Sequence, residues 1–167
     1  MRRRRGIIPT LVACLTCITM GCEAEHAPGG EENKALVLRG LESLDAQDWA
    51  VYGQVWADDA VAHGPDGATI SGGAEIVAYE RAFAVAFPDI RRTVDDLLAE
   101  ADRVVARVTV RGTYRAPLPG MTAPVRGQPI EMGAIIIYRV AGGQIAESWA
   151  EWNLARLVQQ LDVEGAP

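Results

Sequence analysis

Cysteine and histidine are scarce in this chain, and their positions exclude several kinds of chemistry. The 167 residues include three cysteines, Cys14, Cys17 and Cys22, and two histidines, His26 and His63. No cysteine follows residue 22, so the rest of the chain has no thiol for a disulfide, a zinc site or a nucleophile. Two histidines cannot form a three-histidine metal site, and we expect neither a metal nor another cofactor.

Basic residues are also few, apart from one block near the N-terminus. Residues 2–5 are all arginine, and the rest of the chain contains the other 12 of the 16 basic residues and 22 acidic residues. Because a phosphate backbone needs a basic surface, this balance excludes nucleic acid as a partner. The sequence contains no glycine-rich phosphate loop and no nucleophile elbow. The 49% content of hydrophobic residues excludes a disordered chain, and the length fits one ordinary domain.

Residues 1–22 have the pattern of a secretory signal peptide. The arginine block precedes an apolar run over residues 7–20, which is shorter than the roughly 20 residues that a membrane-spanning helix needs. The glycine-cysteine pair that follows resembles a bacterial lipobox, in which the cysteine, here Cys22, is lipidated. We therefore predict an extracytoplasmic lipoprotein that touches the membrane only through this lipid anchor; a freely secreted protein and an uncleaved anchor are the alternatives. Residues 23–32 would form a flexible tether.

Helical periodicity marks the first half of the domain, which we place at residues 33–162. Three helices are predicted, the second capped by Asp48, the third opened by Ser71 and ended by Pro88. Their apolar faces would consist of Val37, Leu41 and Leu44 in the first, Tyr52, Val55 and Trp56 in the second, and Ile76, Tyr79, Phe83 and Phe87 in the third.

Strand patterns follow from residue 89 onward. Residues 103–111 alternate between apolar and polar side chains, and residues 130–140 are apolar on both faces, which predicts a strand in the middle of a sheet. A tight turn at residues 141–144 returns the chain along residues 145–152, and a last amphipathic stretch contains Leu154, Leu157, Val158 and Leu161. Helices first and antiparallel strands afterwards indicate the α+β class.

One face of this sheet would lack a cover. If the last hairpin has a simple register, Ile135, Ile137, Ile145 and Trp149 share the face turned away from the helices. A second copy of the chain would bury such a face, and we therefore predict a homodimer.

Several short segments of the second half of the chain form a characteristic set. They include Phe87-Pro88-Asp89-Ile90, Arg111-Gly112-Thr113-Tyr114-Arg115, Gly127-Gln128-Pro129-Ile130-Glu131, Ile137-Tyr138-Arg139-Val140 and Gly143-Gln144-Ile145-Ala146-Glu147-Ser148-Trp149. The set resembles the SnoaL-like polyketide cyclase, or ester cyclase, family over about residues 33–161. This resemblance implies the nuclear-transport-factor-2-like (NTF2-like) fold, a cone of three N-terminal helices packed on a curved, mainly antiparallel sheet around a pocket. It also implies intramolecular aldol cyclisation, in which a carboxylate on the last strand removes a proton alpha to a carbonyl.

The family's catalytic positions are altered in this chain. The family's aspartate falls on Ala150, a further acidic position falls on Asn153, and the histidine of some cyclases falls on Ile136. A methyl group cannot accept a proton, so the usual base is missing at Ala150. His63, in a loop at the mouth of the pocket, and Asn153 are the remaining catalytic candidates; for His63 the alternative is a loop histidine without a chemical role.

The predicted pocket is apolar with hydroxyl groups and contains no acid. It would bind a small, hydrophobic, polyketide-like molecule with a carbonyl group. Residues 116–128 would form either a lid over the mouth of the pocket or a plain long hairpin connection. The predicted ligand-binding residues are Tyr79, Phe83, Met121, Ile136, Tyr138, Ser148, Ala150 and Trp152. Two functions stay open: an ester cyclase of the lyase or isomerase type, and a non-catalytic extracytoplasmic lipoprotein that binds a small apolar ligand or a protein partner.

Overall fold

Helices and strands alternate early in the chain and strands dominate later. The computed structural model describes residues 29–118 and 123–161. The helices are α1 (Gly30–Asp45), α2 (Trp49–Gln54), α3 (Gly73–Ala86) and α4 (Leu154–Leu161). The strands are β1 (Trp56–His63), β2 (Thr69–Ser71), β3 (Arg91–Glu100), β4 (Arg103–Thr113), β5 (Pro129–Ala141) and β6 (Gln144–Trp152). Helices packed on a curved six-stranded sheet confirm the predicted α+β class.

The six strands form one sheet in the order β2-β1-β6-β5-β4-β3. Neighbouring strands are antiparallel, except that β1 and β6 are parallel. The strand predicted to lie mid-sheet is β5, which pairs with β4 on one side and β6 on the other. We call the side of the sheet that faces α1–α3 the inner face and the opposite side the outer face.

Local sequence signals account for α1 and α2. Val37, Leu41 and Leu44 recur at helical spacing on α1 and are buried, as predicted. The Asp48 carboxylate accepts a hydrogen bond from the backbone N–H of Val51 at 3.1 Å, which confirms it as the N-cap of α2. The predicted apolar stripe of α2 is wrong at its end, because α2 stops before residue 55 and Trp56 opens β1.

The start of α3 is also different from the prediction. Ser71 is the last residue of β2, and the helix begins at Gly73 after Gly72, whose φ of +102° favours glycine. A Cβ on Gly73 would lie 2.7 Å from the carbonyl oxygen of Ala57, so α3 lies almost in contact with the β1 backbone. The helix ends at residue 86, two residues before Pro88.

The hairpin between β5 and β6 contains an irregularity that changes which residues share a face. Arg139 pairs with Glu147, but the next residue on β5 pairs with Ile145, so Ala146 is the extra residue of a β-bulge. The bulge turns Ile145 to the inner face, where it is 2% exposed. The prediction that Ile145 belongs to the uncovered face is therefore wrong.

The other three residues predicted for the uncovered face, Ile135, Ile137 and Trp149, do lie on the outer face. Ile137 pairs with Trp149 across the β5–β6 hairpin, and Ile135 and Leu98 are 48% and 66% exposed. The homodimer stays a prediction, and the face that it would bury contains Ile135, Ile137 and Trp149 but not Ile145. None of the helices in the described ranges has the length and apolar character of a membrane span. The predicted lipidation site at Cys22 and the signal peptide lie outside the described residues.

We expect Gly73→Ala to lower the free energy of unfolding by roughly 1–3 kcal/mol, because the added methyl meets a backbone oxygen that cannot rotate away. Gly133→Ala is the control, since a Cβ there meets nothing within 4 Å and should cost no stability. Urea unfolding of both variants measures the effect. Equal stability of the two variants contradicts the close approach of α3 to β1.

Candidate functional site

A cavity of about 240 Å³ lies between the helices and the inner face of the sheet. Aliphatic side chains of α1 and aromatic side chains of α2, β1 and β5 form part of its wall, and residues of α3, β3, β6 and the β1–β2 loop complete it. Six of the predicted ligand-binding residues border it: Tyr79, Ile136, Tyr138, Ser148, Ala150 and Trp152. Strand alternation explains this, because Ala134, Ile136 and Tyr138 pair directly with Trp152, Ala150 and Ser148 across the hairpin.

The other two predicted ligand-binding residues, Phe83 and Met121, are not among the described residues that border the cavity. Phe83 is buried against Phe87, with ring centroids 5.0 Å apart, and does not border the cavity. It belongs to the hydrophobic core because it lies one turn further along α3 than the residues at the cavity wall. Met121 lies outside the described residues.

The cavity wall carries a charged cluster that the sequence analysis did not predict. Glu80 on α3 and Arg92 on β3 both border the cavity, and Arg92 Nη2 lies 3.3 Å from Glu80 Oε2. Arg92 also donates to Asp45 at the end of α1, from Nη1 at 2.9 Å and from its backbone N–H at 2.7 Å. The arginine side chain is 9% exposed and that of Glu80 is 22% exposed. The prediction of a lining without an acid is therefore wrong.

A signal for Glu80 was present in the sequence. It lies four residues after Ile76 and three before Phe83, both of which are buried on the side of α3 that faces the sheet. A charged residue within an apolar helical stripe stands out in the sequence, because a buried charge needs a partner. No local signal identified Arg92 as that partner.

The cluster acts on the hydroxyl groups around it. Burial raises the pKa of Glu80, although the charge of Arg92 acts in the opposite direction. Burial also raises the pKa of Tyr52 and of Tyr138, and the negative charge of Glu80 adds to both shifts. Both phenols therefore stay protonated near neutral pH. The Tyr52 oxygen interacts with the indole N–H of Trp56, which can only donate, so the Tyr52 phenol proton stays available, and the Tyr138 hydroxyl has no hydrogen-bond partner among the described residues.

Trp56 adds an unsatisfied donor to the same region. Its ring borders the cavity, and its buried Nε1 makes no well-aligned hydrogen bond among the described residues, although the Tyr52 hydroxyl is close enough to interact with it. A buried donor left unpaired costs about 1–3 kcal/mol. Such a cost is unusual in a region that serves packing alone.

His63 makes its contacts on the outer face. Its Nε2 donates to Oε1 of Glu147 at 3.0 Å, and its ring stacks on Trp149 with centroids 5.5 Å apart. This hydrogen bond, with a second one from Arg139, holds the pKa of Glu147 below its usual value. Ala62, next along β1, borders the cavity beside Ser148. His63 thus touches the cavity at one edge while its imidazole is engaged elsewhere, and these contacts do not support the predicted catalytic role.

Asn153 has a structural task. Its Oδ1 accepts a hydrogen bond from the backbone N–H of Arg156 at 2.9 Å, which caps the N-terminus of α4. The side chain does not border the cavity, so the geometry gives no support to a catalytic role. Within residues 29–118 and 123–161, no group of three histidine, cysteine, aspartate or glutamate side chains is placed to hold a metal ion.

Comparison with known proteins assigns the chain to a family. Residues 35–161 match the family described as SnoaL-like polyketide cyclase. The protein has the NTF2-like fold with its helix-covered curved sheet, and it belongs to the SnoaL-like polyketide cyclase family. No protein of curated function matches the sequence.

Solved structures support the same assignment. A protein assigned as a SnoaL-like polyketide cyclase from Jannaschia sp. CCS1 is 20% identical, covers 84% of this chain and 99% of its own, and has a TM-score of 0.77. AclR from Streptomyces galilaeus, assigned as a hydroxylase, is 28% identical over 78% of this chain and 96% of its own, with a TM-score of 0.69. IdmH from Streptomyces antibioticus, assigned as a polyketide cyclase, is 25% identical over 77% of this chain and 97% of its own, with a TM-score of 0.67.

We expect Glu80→Gln to change how stability depends on pH. The raised pKa of Glu80 means that the folded protein favours the protonated form, so stability is lost as pH rises from the ordinary value of 4.5 through the folded pKa. Because glutamine removes this titration, the free energy of unfolding of the variant should rise relative to that of the wild type as pH increases above 4.5, as measured by urea unfolding. Glu75→Gln, exposed on the same helix, should show no such gain. If the difference in the free energy of unfolding between Glu80→Gln and the wild type does not change with pH, the raised pKa of Glu80 is contradicted.

Proposed function

We propose that the protein binds a small, mostly apolar carbonyl compound in the cavity. The observation that carries this proposal is a largely apolar, helix-covered cavity bordered by the phenols of Tyr52 and Tyr138, whose O–H groups donate to no described acceptor. A carbonyl oxygen is an acceptor without a donor, so it suits such a wall, whereas a ligand with many donors would leave them unpaired. The carbon skeleton would contact Leu41, Ile136 and Ile145.

Family membership supports the class of ligand but not one reaction. The relatives include proteins assigned as polyketide cyclases and one assigned as a hydroxylase, so the shared fold does not define the chemistry. We infer a polyketide-like ligand with a ketone or ester group from the family name and from the apolar wall. With a lipidated Cys22, the protein would meet this ligand outside the cytoplasm.

Two activities fit this ligand, and a different observation favours each. The methyl group of Ala150, where the family carries its carboxylate, favours a non-catalytic binding protein. The charged pair of Glu80 and Arg92 at the cavity wall favours an enzyme of the ester cyclase type. The two differ in one measurable respect, since only the enzyme accelerates a reaction of the bound compound.

We expect Ile136→Trp to weaken binding of a small ketone or methyl ester at least tenfold, because the larger ring fills the cavity. The matched control is Ile135→Trp on the same strand, whose side chain lies on the outer face. Ligand-observed NMR titration with 2-tetralone and a panel of polyketide-like methyl esters measures both affinities. Equal affinity of the two variants, or no binding to the wild type, contradicts the proposed function.

A further inference from the structure

Two acidic side chains border the cavity in the described ranges, and they differ in setting. Asp66 is exposed in the β1–β2 loop, where its Oδ1 accepts a hydrogen bond from the backbone N–H of Ala68 at 3.0 Å. Glu80 comes from the middle of α3 and is largely covered. Asp66 is therefore explained by its turn, whereas the position of Glu80 has no such local explanation.

The Glu80 carboxylate has one restrained oxygen and one available oxygen. Oε2 lies 3.3 Å from Arg92 Nη2, which is a long hydrogen bond. Oε1 accepts no hydrogen bond from any residue that the structure describes. Many arginine–carboxylate pairs are bidentate and shorter, whereas this one engages a single oxygen of Glu80. The observed geometry leaves an acceptor free on a group that borders the cavity.

Arg92 is held in place from behind. Asp45 accepts from both the side chain and the backbone of Arg92, at 2.9 Å and 2.7 Å. These contacts tie the guanidinium to the end of α1 and leave Nη2 as the arm that reaches Glu80. Arg92 and Asp45 are thus positioning residues for the carboxylate.

Donors for a developing negative charge lie in the same cavity. The charged and titratable side chains that face Glu80 are Tyr52 from α2, Arg92 from β3 with Asp45 of α1 behind it, Tyr138 from β5, and Tyr79 beside it on α3. The phenols of Tyr52 and Tyr138 are close enough to Glu80 for its charge to raise their pKa values, and neither O–H donates to a described acceptor, because the contact of Tyr52 with Trp56 is with an indole donor. An enolate oxygen is stabilised by such preorganised donors.

We propose that Glu80 is the catalytic base of this cavity and takes over, from a helix, the task of the carboxylate that is replaced by the methyl group of Ala150. The inference rests on the proposed function, because it requires a carbonyl compound in the cavity. It makes the protein an enzyme that forms an enolate, rather than a passive binding protein.

The step is balanced without any co-reactant. Glu80 Oε1 takes the proton from the carbon alpha to the carbonyl, the C–H electron pair forms a C=C bond, and the carbonyl π electrons move to oxygen. Tyr52 and Tyr138 donate to that oxygen. When a second carbonyl lies within reach of the enolate carbon, a C–C bond forms, and the protonated Glu80 returns its proton to the new alkoxide. The net reaction is an isomerisation with ring closure.

The energetic setting of Glu80 supports this role. Burial makes its pKa higher than that of an exposed glutamate, which moves the group toward the range in which a carboxylate is an effective base near neutral pH. The same burial makes its ionised form a cost to stability.

Exchange of the alpha protons of 2-tetralone in D₂O, followed by NMR, tests the proposal with the intact protein. We expect the wild type to accelerate exchange and Glu80→Gln to slow it by about 100-fold or more, with unchanged affinity for the ketone. Glu80→Asp, which keeps the carboxylate, should retain part of the rate. Glu75→Gln on the exposed side of α3 should behave as the wild type.

The pH profile separates a base from a structural ion pair. Because Arg92 lowers the pKa of Glu80, Arg92→Gln should move the ascending limb of exchange rate against pH to higher pH. Arg107→Gln, on the outer face of β4, should leave the limb unmoved. If 2-tetralone binds but its exchange rate is the same with wild type and Glu80→Gln, the inference is overturned and the proposed function stays intact. Absence of binding overturns both.

Discussion

The guanidinium of Arg92 is the contact on which the arrangement of the cavity depends. It connects β3 to the C-terminal end of α1 through Asp45 and to the middle of α3 through Glu80. A guanidinium with so little exposure to water is stable only when it is paired with carboxylates and satisfied by hydrogen bonds. Removing either carboxylate therefore disturbs a charge balance as well as a contact. The ion pair of Arg92 and Glu80 also brings a carboxylate to a cavity wall that is otherwise largely apolar.

This arrangement changes how the missing family carboxylate is understood. The sequence resemblance predicts that Ala150 on β6 occupies the position of the family's carboxylate, and the cavity contains a carboxylate, that of Glu80, which approaches from the helical side. A small apolar cavity of this kind can receive a proton acceptor from any wall, provided that the acceptor reaches the ligand and its charge is compensated. The identity of one strand position is therefore a weak guide to whether a member of this fold is catalytic.

The two faces of the sheet carry separate chemistry. On the inner face, the wall around Ser148 and Tyr138 is closed off from solvent by the helices. On the outer face, His63, Glu147 and Arg139 form a hydrogen-bonded group beside Trp149, and Arg103 lies over the same indole at 5.2 Å. Because successive side chains of a strand point to opposite faces, His63 and its neighbour Ala62 belong to different environments. The histidine that attracts attention in the sequence thus lies with the surface group.

Much of the fold was predictable from the sequence because its signals are local. The apolar spacing of α1, the cap at Asp48, and the paired glycines of the β5–β6 turn, with φ of +59° and +77° at Gly142 and Gly143, each act within a few residues. β1 and β2 were missed because their short segments lack regular alternation, and the parallel pairing of β1 with β6 joins segments far apart in the chain. One inserted residue, Ala146, was enough to transfer Ile145 from the predicted outer face to the core.

By itself, the sequence determined the α+β class, the family, the helical and strand stretches with strong periodicity, and most of the inner-face side chains of β5 and β6. Only the tertiary structure decided that Glu80 and Arg92 meet at the cavity wall, with Asp45 behind Arg92. Asp45 and Arg92 are 47 residues apart, and no periodic pattern links them. Periodicity reports which side of an element is covered, whereas the meeting of charges from three elements depends on how those elements pack against each other.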